Sequence, residues 1–311
     1  MRNYKEAFES LYKEVGKVII GQKELIEQIM ISMICDSHAL LEGYPGLAKT
    51  LAVKTIAEVM ELKYSRIQNT PDLMPSDITG TYIIEESGGK RNFRFQQGPI
   101  FANIILADEI NRATPKTQSA LLESMQEKQV TAGNQTFKLD LPFFVLATQN
   151  PIEQEGTYPL PEAQSDRFLL KIKVGYPTIE EEEQIVDRYT SEYGQQKLKK
   201  MLNKDHLIAL QMHTKQVPIA NDLKKRVLRI INVTRASKDL IQYGASPRAS
   251  IGLILASKAR ALINGRNHVS TEDINDMAFP VLRHRILLSF EAERRGMTTD
   301  DVIKEILAKV K

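Results

Sequence analysis

The sequence predicts an α/β protein: a five-stranded parallel sheet between helices, interrupted by two β-hairpins and followed by an all-α region. Three observations carry this. Up to about Val174, short β-rich apolar runs alternate with segments of helical period. Three of those runs lack polar alternation, as strands buried on both faces of a parallel sheet do. Beyond Val174 the strand signal fades and the remaining segments are amphipathic at helical spacing.

Taken in order, "HALLE" (38–42), "YSRIQ" (64–68), "NIILA" (103–107), "FFVLAT" (143–148) and "FLLKIKV" (168–174) read as the five strands. Between them, "KTLAVKTIAEVM" and "PKTQSALLESMQE" have helical apolar spacing. The second starts on Pro115, a residue favourable in a first helical turn. This β-α-β alternation implies a parallel sheet covered by helices. Two hairpins break the rhythm: "TYIIEESGGKRNFRF", turning at Gly88–Gly89, and "QVTAGNQTFKL", turning at Gly133–Asn134. In the later region, "TIEEEEQIVDRY" opens with Thr178 and Glu181 at capping-box spacing. "HLIALQMHTKQ", "ANDLKKRVLRIINVTRAS", "SPRASIGLILASKARALING" and "STEDINDMAFPVLRHRI" follow as helices, with the "RHRI" around His284 read as a charged helix face. The expected division is 1–176 and 177–311, with "SEYGQQKLKKMLNK" as the linker.

Bulk properties narrow the function classes. The chain has 311 residues, 42% hydrophobic and 26% charged, which is ordinary for a globular protein. A net charge of +3 gives no argument for nucleic acid or a membrane surface as partner. The single cysteine, Cys35, cannot form an internal disulfide and reads as a core thiol on an apolar helix. Five scattered histidines show no metal-ligand spacing. The N-terminus has no signal-like apolar block, and no apolar run approaches the ~20 residues of a membrane span. A reducing, cytoplasmic setting is expected.

Four stretches carry chemistry. "EGYPGLAKTLAVK" (42–54) nearly spells G-x-x-x-x-G-K-[ST]: Gly43, Lys49 and Thr50 fit, while Ala48 stands where the last glycine belongs. The stretch lies between a buried strand and a helix, where backbone N–H groups can face phosphate oxygens. Lys49 would bridge terminal phosphates and Thr50 would offer a hydroxyl to Mg²⁺. Alanine costs little there unless φ is positive, and a negative φ is the expectation. Relaxed glycine patterns also match by chance, so the loop alone leaves both readings open.

"NIILADEINRA" ends a strand in Asp108 and Glu109, two carboxylates at the carboxyl edge where open α/β sheets bind ligands. Asp108 would enter a Mg²⁺ shell and Glu109 would deprotonate a water. An acidic strand end facing solvent is the alternative. Asn150 closes the fourth strand and could position the same water, although Asn–Pro is often only a turn. Arg167 in "SDRF" and Arg248 in "GASPRASIGL" persuade only in company, because exposed arginines are usually solvated.

In this order, over nearly the whole chain, the sequence resembles the MoxR family of AAA+ ATPases, in the branch that includes magnesium chelatases and minichromosome-maintenance helicases. The most specific stretches are "GYPGLAKT", "TPDLMPSDITG", "GPIF", "LADEINRATPKTQSALLESMQE", "ATQNPIEQEGTYPLPEAQSDRF" and "GASPRAS". Alanine before the lysine is a habit of that family. The resemblance implies a P-loop NTPase (AAA+) core over 1–176 and an all-α lid over 177–311, with the hairpins as the helix-2 and pre-sensor-1 inserts. It makes Gly43, Tyr44, Pro45, Gly46, Leu47, Ala48, Lys49, Thr50 and Leu51 the Walker A region. Ile20, Gly21 and Gln22 of "IIGQKE" would lie along the adenine. Asp108 and Glu109 become Walker B, Asn150 sensor 1, Arg167 the arginine finger and Arg248 the sensor 2 arginine. Arg112 is a further candidate for a subunit boundary. ATP and Mg²⁺ are the implied cofactors, with Thr50 and Asp108 on the metal side. The implied assembly is a homo-oligomeric, hexameric ring that remodels or matures a protein client, with von Willebrand factor A domain proteins as frequent partners. A nucleic-acid motor is the alternative that Lys90, Arg91 and Arg94 near one hairpin tip keep open, and a non-hydrolysing scaffold is the other.

Overall fold

In the computed structural model, which describes residues 4–87, 90–151, 156–190 and 197–310, the apolar runs become the strands of one parallel sheet. Helices α1 (Tyr4–Val15) and α2 (Lys23–Ile34) lead into β1 (Ala39–Gly43), and α3 (Lys49–Val59) carries the chain on to β2 (Tyr64–Gln68). A short α4 (Pro75–Thr79) and the antiparallel pair β3 (Gly80–Ser87) and β4 (Lys90–Gln97) precede β5 (Ile104–Asp108). Then come a 3-10 turn (Ile110–Arg112), α5 (Pro115–Glu127), the pair β6 (Gln129–Ala132) and β7 (Gln135–Lys138), and β8 (Phe144–Gln149). The one-turn α6 (Glu162–Ser165) leads to β9 (Leu170–Val174).

The sheet order is β2-β5-β8-β1-β9, parallel throughout. Burial follows position. The three central strands are buried except near their carboxyl ends, where Glu42, Asp108 and Gln149 are partly exposed. The outer strands β2 and β9 have polar positions exposed on one face, hence their mixed sequences. Alternate residues of each strand feed two cores. Ala39, Leu41, Ile104, Leu106, Phe144 and Leu146 meet α2 and α3 on one side. Leu40, Ile105, Ala107, Val145 and Ala147 meet α5 on the other. The turn at Gly88–Gly89 lies outside the described residues, whereas Gly133 turns the second hairpin with φ 57°.

Beyond β9 run α7 (Ile179–Thr190), α8 (Lys204–Gln216), α9 (Asn221–Ala236), β10 (Ile241–Tyr243), α10 (Pro247–Ile263), α11 (Thr271–Leu282), β11 (Leu287–Leu288), α12 (Phe290–Arg294) and α13 (Thr299–Lys309). The capping box appears as read: Thr178 N–H donates to Glu181 at 2.9 Å, and Glu181 N–H to Thr178 Oγ1 at 3.3 Å. The helical region also holds one short antiparallel pair, β10 with β11. Part of the expected linker (191–196) lies outside the described residues. The rest is tethered, with Met201 N–H on Val59 O at 2.7 Å.

Two features depart from the sequence reading or escape it. The N-terminal segment, read above for a leader, for the adenine contact and for the apolar helix around Cys35, folds as α1 over Tyr4–Val15 and α2 over Lys23–Ile34. In α2, apolar residues on every side pack against β9, α8 and α10, as an all-round apolar helix requires. Cys35 is buried at its end, and burial pushes its thiol pKa up, away from reactivity. The "RHRI" segment is not an exposed charged face. It docks on the sheet: Arg283 Nη1 donates to Lys171 O at 3.1 Å, and His284 Nε2 lies 3.0 Å from Phe168 O. Arg285 donates to Leu169 O at 2.9 Å and pairs with Asp166 at 2.7 Å. Burial, aided by the adjacent arginines, holds His284 well below the usual imidazole pKa, so it sits there neutral.

Candidate functional site

The loop between β1 and α3 leaves the sheet at its carboxyl edge. β1 and β8 lie side by side, yet one connects across to β2 and the other across to β9. Their connections therefore leave in opposite directions, and right-handed crossovers put them on opposite faces of the sheet. Within the loop Gly46 has φ 83° and Ala48 φ 52°, ψ 22°. The expected negative φ at Ala48 is thus wrong. The turn into α3 needs a left-handed residue there whatever the side chain. Alanine holds it at a steric cost against its own backbone, with its methyl exposed rather than packed. Gly43 has a packing reason instead, since a Cβ would approach Val174 Cβ to 3.0 Å. Lys49 Nζ folds back onto Gly43 O at 2.7 Å, and Thr50 and Leu51 follow half-buried in the first helical turn.

The segment Ile19–Glu24 touches this loop. Ile20 is buried, Gly21 and Gln22 both have positive φ, and Gln22 Nε2 donates to Leu47 O at 3.3 Å. Leu47 is buried while Pro45 is exposed. On the other flank Tyr44 stacks on Tyr176, centroids 5.1 Å apart.

The two acids stand where β5 emerges. Thr148 Oγ1 donates to Asp108 Oδ1 at 2.6 Å and accepts Glu109 N–H at 2.8 Å, which fixes both residues to the neighbouring strand. Arg66 pairs with Asp108 Oδ2 at 2.6 Å from the outer strand. Glu109, itself left-handed at φ 54°, accepts from Gln68 Nε2 at 3.1 Å and lies 3.4 Å from Arg112. Asn150 is half-buried and comes one residue after the Glu42–Gln149 pairing, level with the start of the loop. The loop, the two acids and Asn150 therefore share one edge of the sheet. Thr148, Arg66 and Gln68 were missed by sequence. A lone threonine closing an apolar strand and polar alternation in "YSRIQ" were the only signals.

Arg167 and Arg248 are placed elsewhere. Arg167 lies three residues before the start of β9 and is exposed, with Nη1 on Leu122 O at 3.2 Å. β9 starts beside the beginning of β1, since Leu169 N–H donates to His38 O at 2.8 Å. This is the amino edge, one strand length, roughly 16 Å, from the loop. Arg248 joins it: Ser246 Oγ caps α10 and also donates to Asp166 at 2.9 Å, and Arg248 lies 4.0 Å from the same carboxylate. Both arginines line a cleft of about 260 Å³ with His38, Met125, Leu169 and Arg285.

Known proteins share this fold and much of this sequence. Residues 38–170 match the family model for the ATPase family associated with various cellular activities (AAA), and residues 234–306 match the AAA lid domain. Chaperone MoxR1 of Mycobacterium tuberculosis is 45% identical over 305 residues, covering 96% of this chain and 80% of that protein. The protein YeaC of Bacillus subtilis is 40% identical, over 96% of this chain and 92% of its own. A crystal structure of a chain from Cytophaga hutchinsonii superposes with a TM-score of 0.92 at 46% identity, covering 99% of this chain and 95% of that one.

Proposed function

Because this chain belongs to the MoxR family of AAA+ ATPases, we propose that it binds and hydrolyses ATP at the carboxyl edge of the sheet and uses the cycle to remodel or mature a protein client. The single observation that supports the catalytic part most is the convergence of the Gly43–Leu51 loop, Asp108, Glu109 and Asn150 on one edge. The assigned units are 1–176 for nucleotide binding and 177–311 for the lid.

The loop N–H groups and Lys49 bind phosphate oxygens, for which Lys49 must leave Gly43 O. The donor set suits Mg²⁺: Thr50 offers a hydroxyl and Asp108 a carboxylate, both hard oxygens, with phosphate and water completing the shell. Held there, the ion would neutralise charge on the phosphates. Glu109 takes the proton of the attacking water, and Asn150 orients it. Ile20, Gly21 and Gln22 cover the base. Arg167 and Arg248, at the far edge, cannot reach this chain's own loop. They complete the site of an adjacent copy, which calls for a homo-oligomeric ring, a hexamer in our reading. A cytoplasmic setting accords with the buried reduced Cys35. Among the described residues no helix is long and apolar enough to cross a membrane.

The client comes from another chain, with a von Willebrand factor A domain protein as a further partner. The nucleic-acid motor reading has weaker footing, because Glu86 and Glu85 offset the charge of Arg91 and Arg94 on the same hairpin, at 2.7 and 2.8 Å. The test is Glu109→Gln beside Lys49→Ala. The first should keep ATP affinity and lose turnover, at least 10²-fold as for a general base. The second should lose nucleotide binding. Affinity capture with Glu109→Gln in ATP should retain the client. Near wild-type hydrolysis by Glu109→Gln would place the base elsewhere.

A further inference from the structure

The outer strand β2 puts a fixed positive charge against the acid pair. Arg66 aligns with Leu106 in the parallel register and reaches diagonally to Asp108. Its Nη2 and Nε both address Oδ2, at 2.6 and 3.2 Å. The other oxygen, Oδ1, is taken by Thr148. The Arg66 guanidinium also bonds Gln68 Oε1, whose amide in turn donates to Glu109 at 3.1 Å. One cation thus links both carboxylates. The Asp108 side chain is only 13% exposed, so the charge acts across a poorly screened contact, while Arg66 itself is 46% exposed and free to be exchanged.

We propose that Arg66 is a positioning residue that sets the Mg²⁺ requirement of nucleotide binding by competing with the divalent cation for the charge of Asp108. This rests on the reading of Asp108 as a metal-side residue. Two effects of opposite sign follow from the electrostatics. Without divalent cation, Arg66 neutralises Asp108 and lowers its repulsion of the nucleotide phosphates. With it, the guanidinium repels the incoming ion and shares the carboxylate, so more Mg²⁺ is needed. A purely structural role for Arg66 has one sign only, because losing it would misplace Asp108 and weaken binding under both conditions.

The experiment titrates Mg²⁺ into the full chain with a fluorescent non-hydrolysable ATP analogue, comparing wild type with Arg66→Met, Arg66→Gln and Arg66→Lys. Arg66→Met and Arg66→Gln should lower the half-saturating Mg²⁺ on the order of tenfold, a screened unit charge a few ångströms away. The same variants should bind the analogue more weakly in EDTA. Arg66→Lys, which keeps the charge without the fork, should stay near wild type. Two neutral variants of different polarity guard against one that fails to fold, which circular dichroism would reveal. A raised or unchanged Mg²⁺ requirement in the folded neutral variants overturns the proposal while leaving the site assignment intact. Absence of any Mg²⁺-dependent binding by wild type sinks both.

Discussion

Ala48 holds a left-handed backbone at the point where β1 hands over to α3. An alanine there carries steric cost of about 1 kcal/mol that glycine would not. We therefore expect Ala48→Gly to raise stability by about 0.5–1 kcal/mol, despite the greater freedom glycine brings to the unfolded chain, and to leave nucleotide affinity in place. Ala48→Val, β-branched at positive φ, should lose both stability and affinity. Urea unfolding and analogue binding check this. A loss near 1 kcal/mol in Ala48→Gly, the usual effect of glycine inside a helix, would contradict it. At this scale the sequence was informative where chemistry depends on chain order: Lys49, Thr50, Asp108 and Glu109 follow strand ends, and strand ends are legible. It was silent on Thr148, Arg66 and Gln68. Their partners are set by β5–β8 and β2–β5 register, which no local pattern encodes. Residue type favours a negative φ at Ala48, and the turn into α3 overrides that preference.

Arg285 anchors the helical region to the segment that leads into β9, the last strand of the sheet. Its side chain is 3% exposed, paired with Asp166 and bonded to the carbonyls of Leu169 and Phe168. Burial opposes its charge and the Asp166 carboxylate sustains it. Arg285→Ala should destabilise by about 3–5 kcal/mol, because a half-buried carboxylate and several carbonyls lose their donor together. Less than 1 kcal/mol in urea unfolding would show that the anchor lies elsewhere. Asp166 also binds Ser246 and lies 4.0 Å from Arg248, so relaxed placement of α10 should accompany the loss. Elements of this kind were only half legible. Period 3.6 located α5 and α8 to α11, and continuous apolar runs located the central strands. The "RHRI" segment looked like a solvated face, since nothing local tells a charged residue bound to backbone carbonyls from one bound to water. Of the N-terminal helices, α2 is legible only as an apolar helix around Cys35, because its all-round apolar texture lacks a one-sided stripe, while the stripe of α1, Phe8, Leu11 and Val15, hides in a run that alternates charged with apolar residues.

Over the whole molecule, our proposal divides the work between the two sheet edges. The carboxyl edge carries the loop, the acid pair and Asn150, and the amino edge carries Arg167 and Arg248 around one cleft. The strand length between them keeps a single chain from completing its own site in our account, so activity must depend on assembly. The direct measurement is hydrolysis by mixtures of two inactive proteins, Arg167→Ala and Lys49→Ala, under conditions where chains exchange. Some mixed rings then place an intact loop against an intact arginine from the adjacent chain. Activity should reappear in proportion to the random-mixing fraction of such interfaces, and per-chain activity of wild type should rise with concentration. A trans-acting arginine contributes ~10³–10⁵ in rate in comparable phosphoryl transfers, so the recovered signal should stand far above either parent. No rescue in demonstrably mixed rings, or full activity from dilute monomeric Arg167→Ala, would contradict the account.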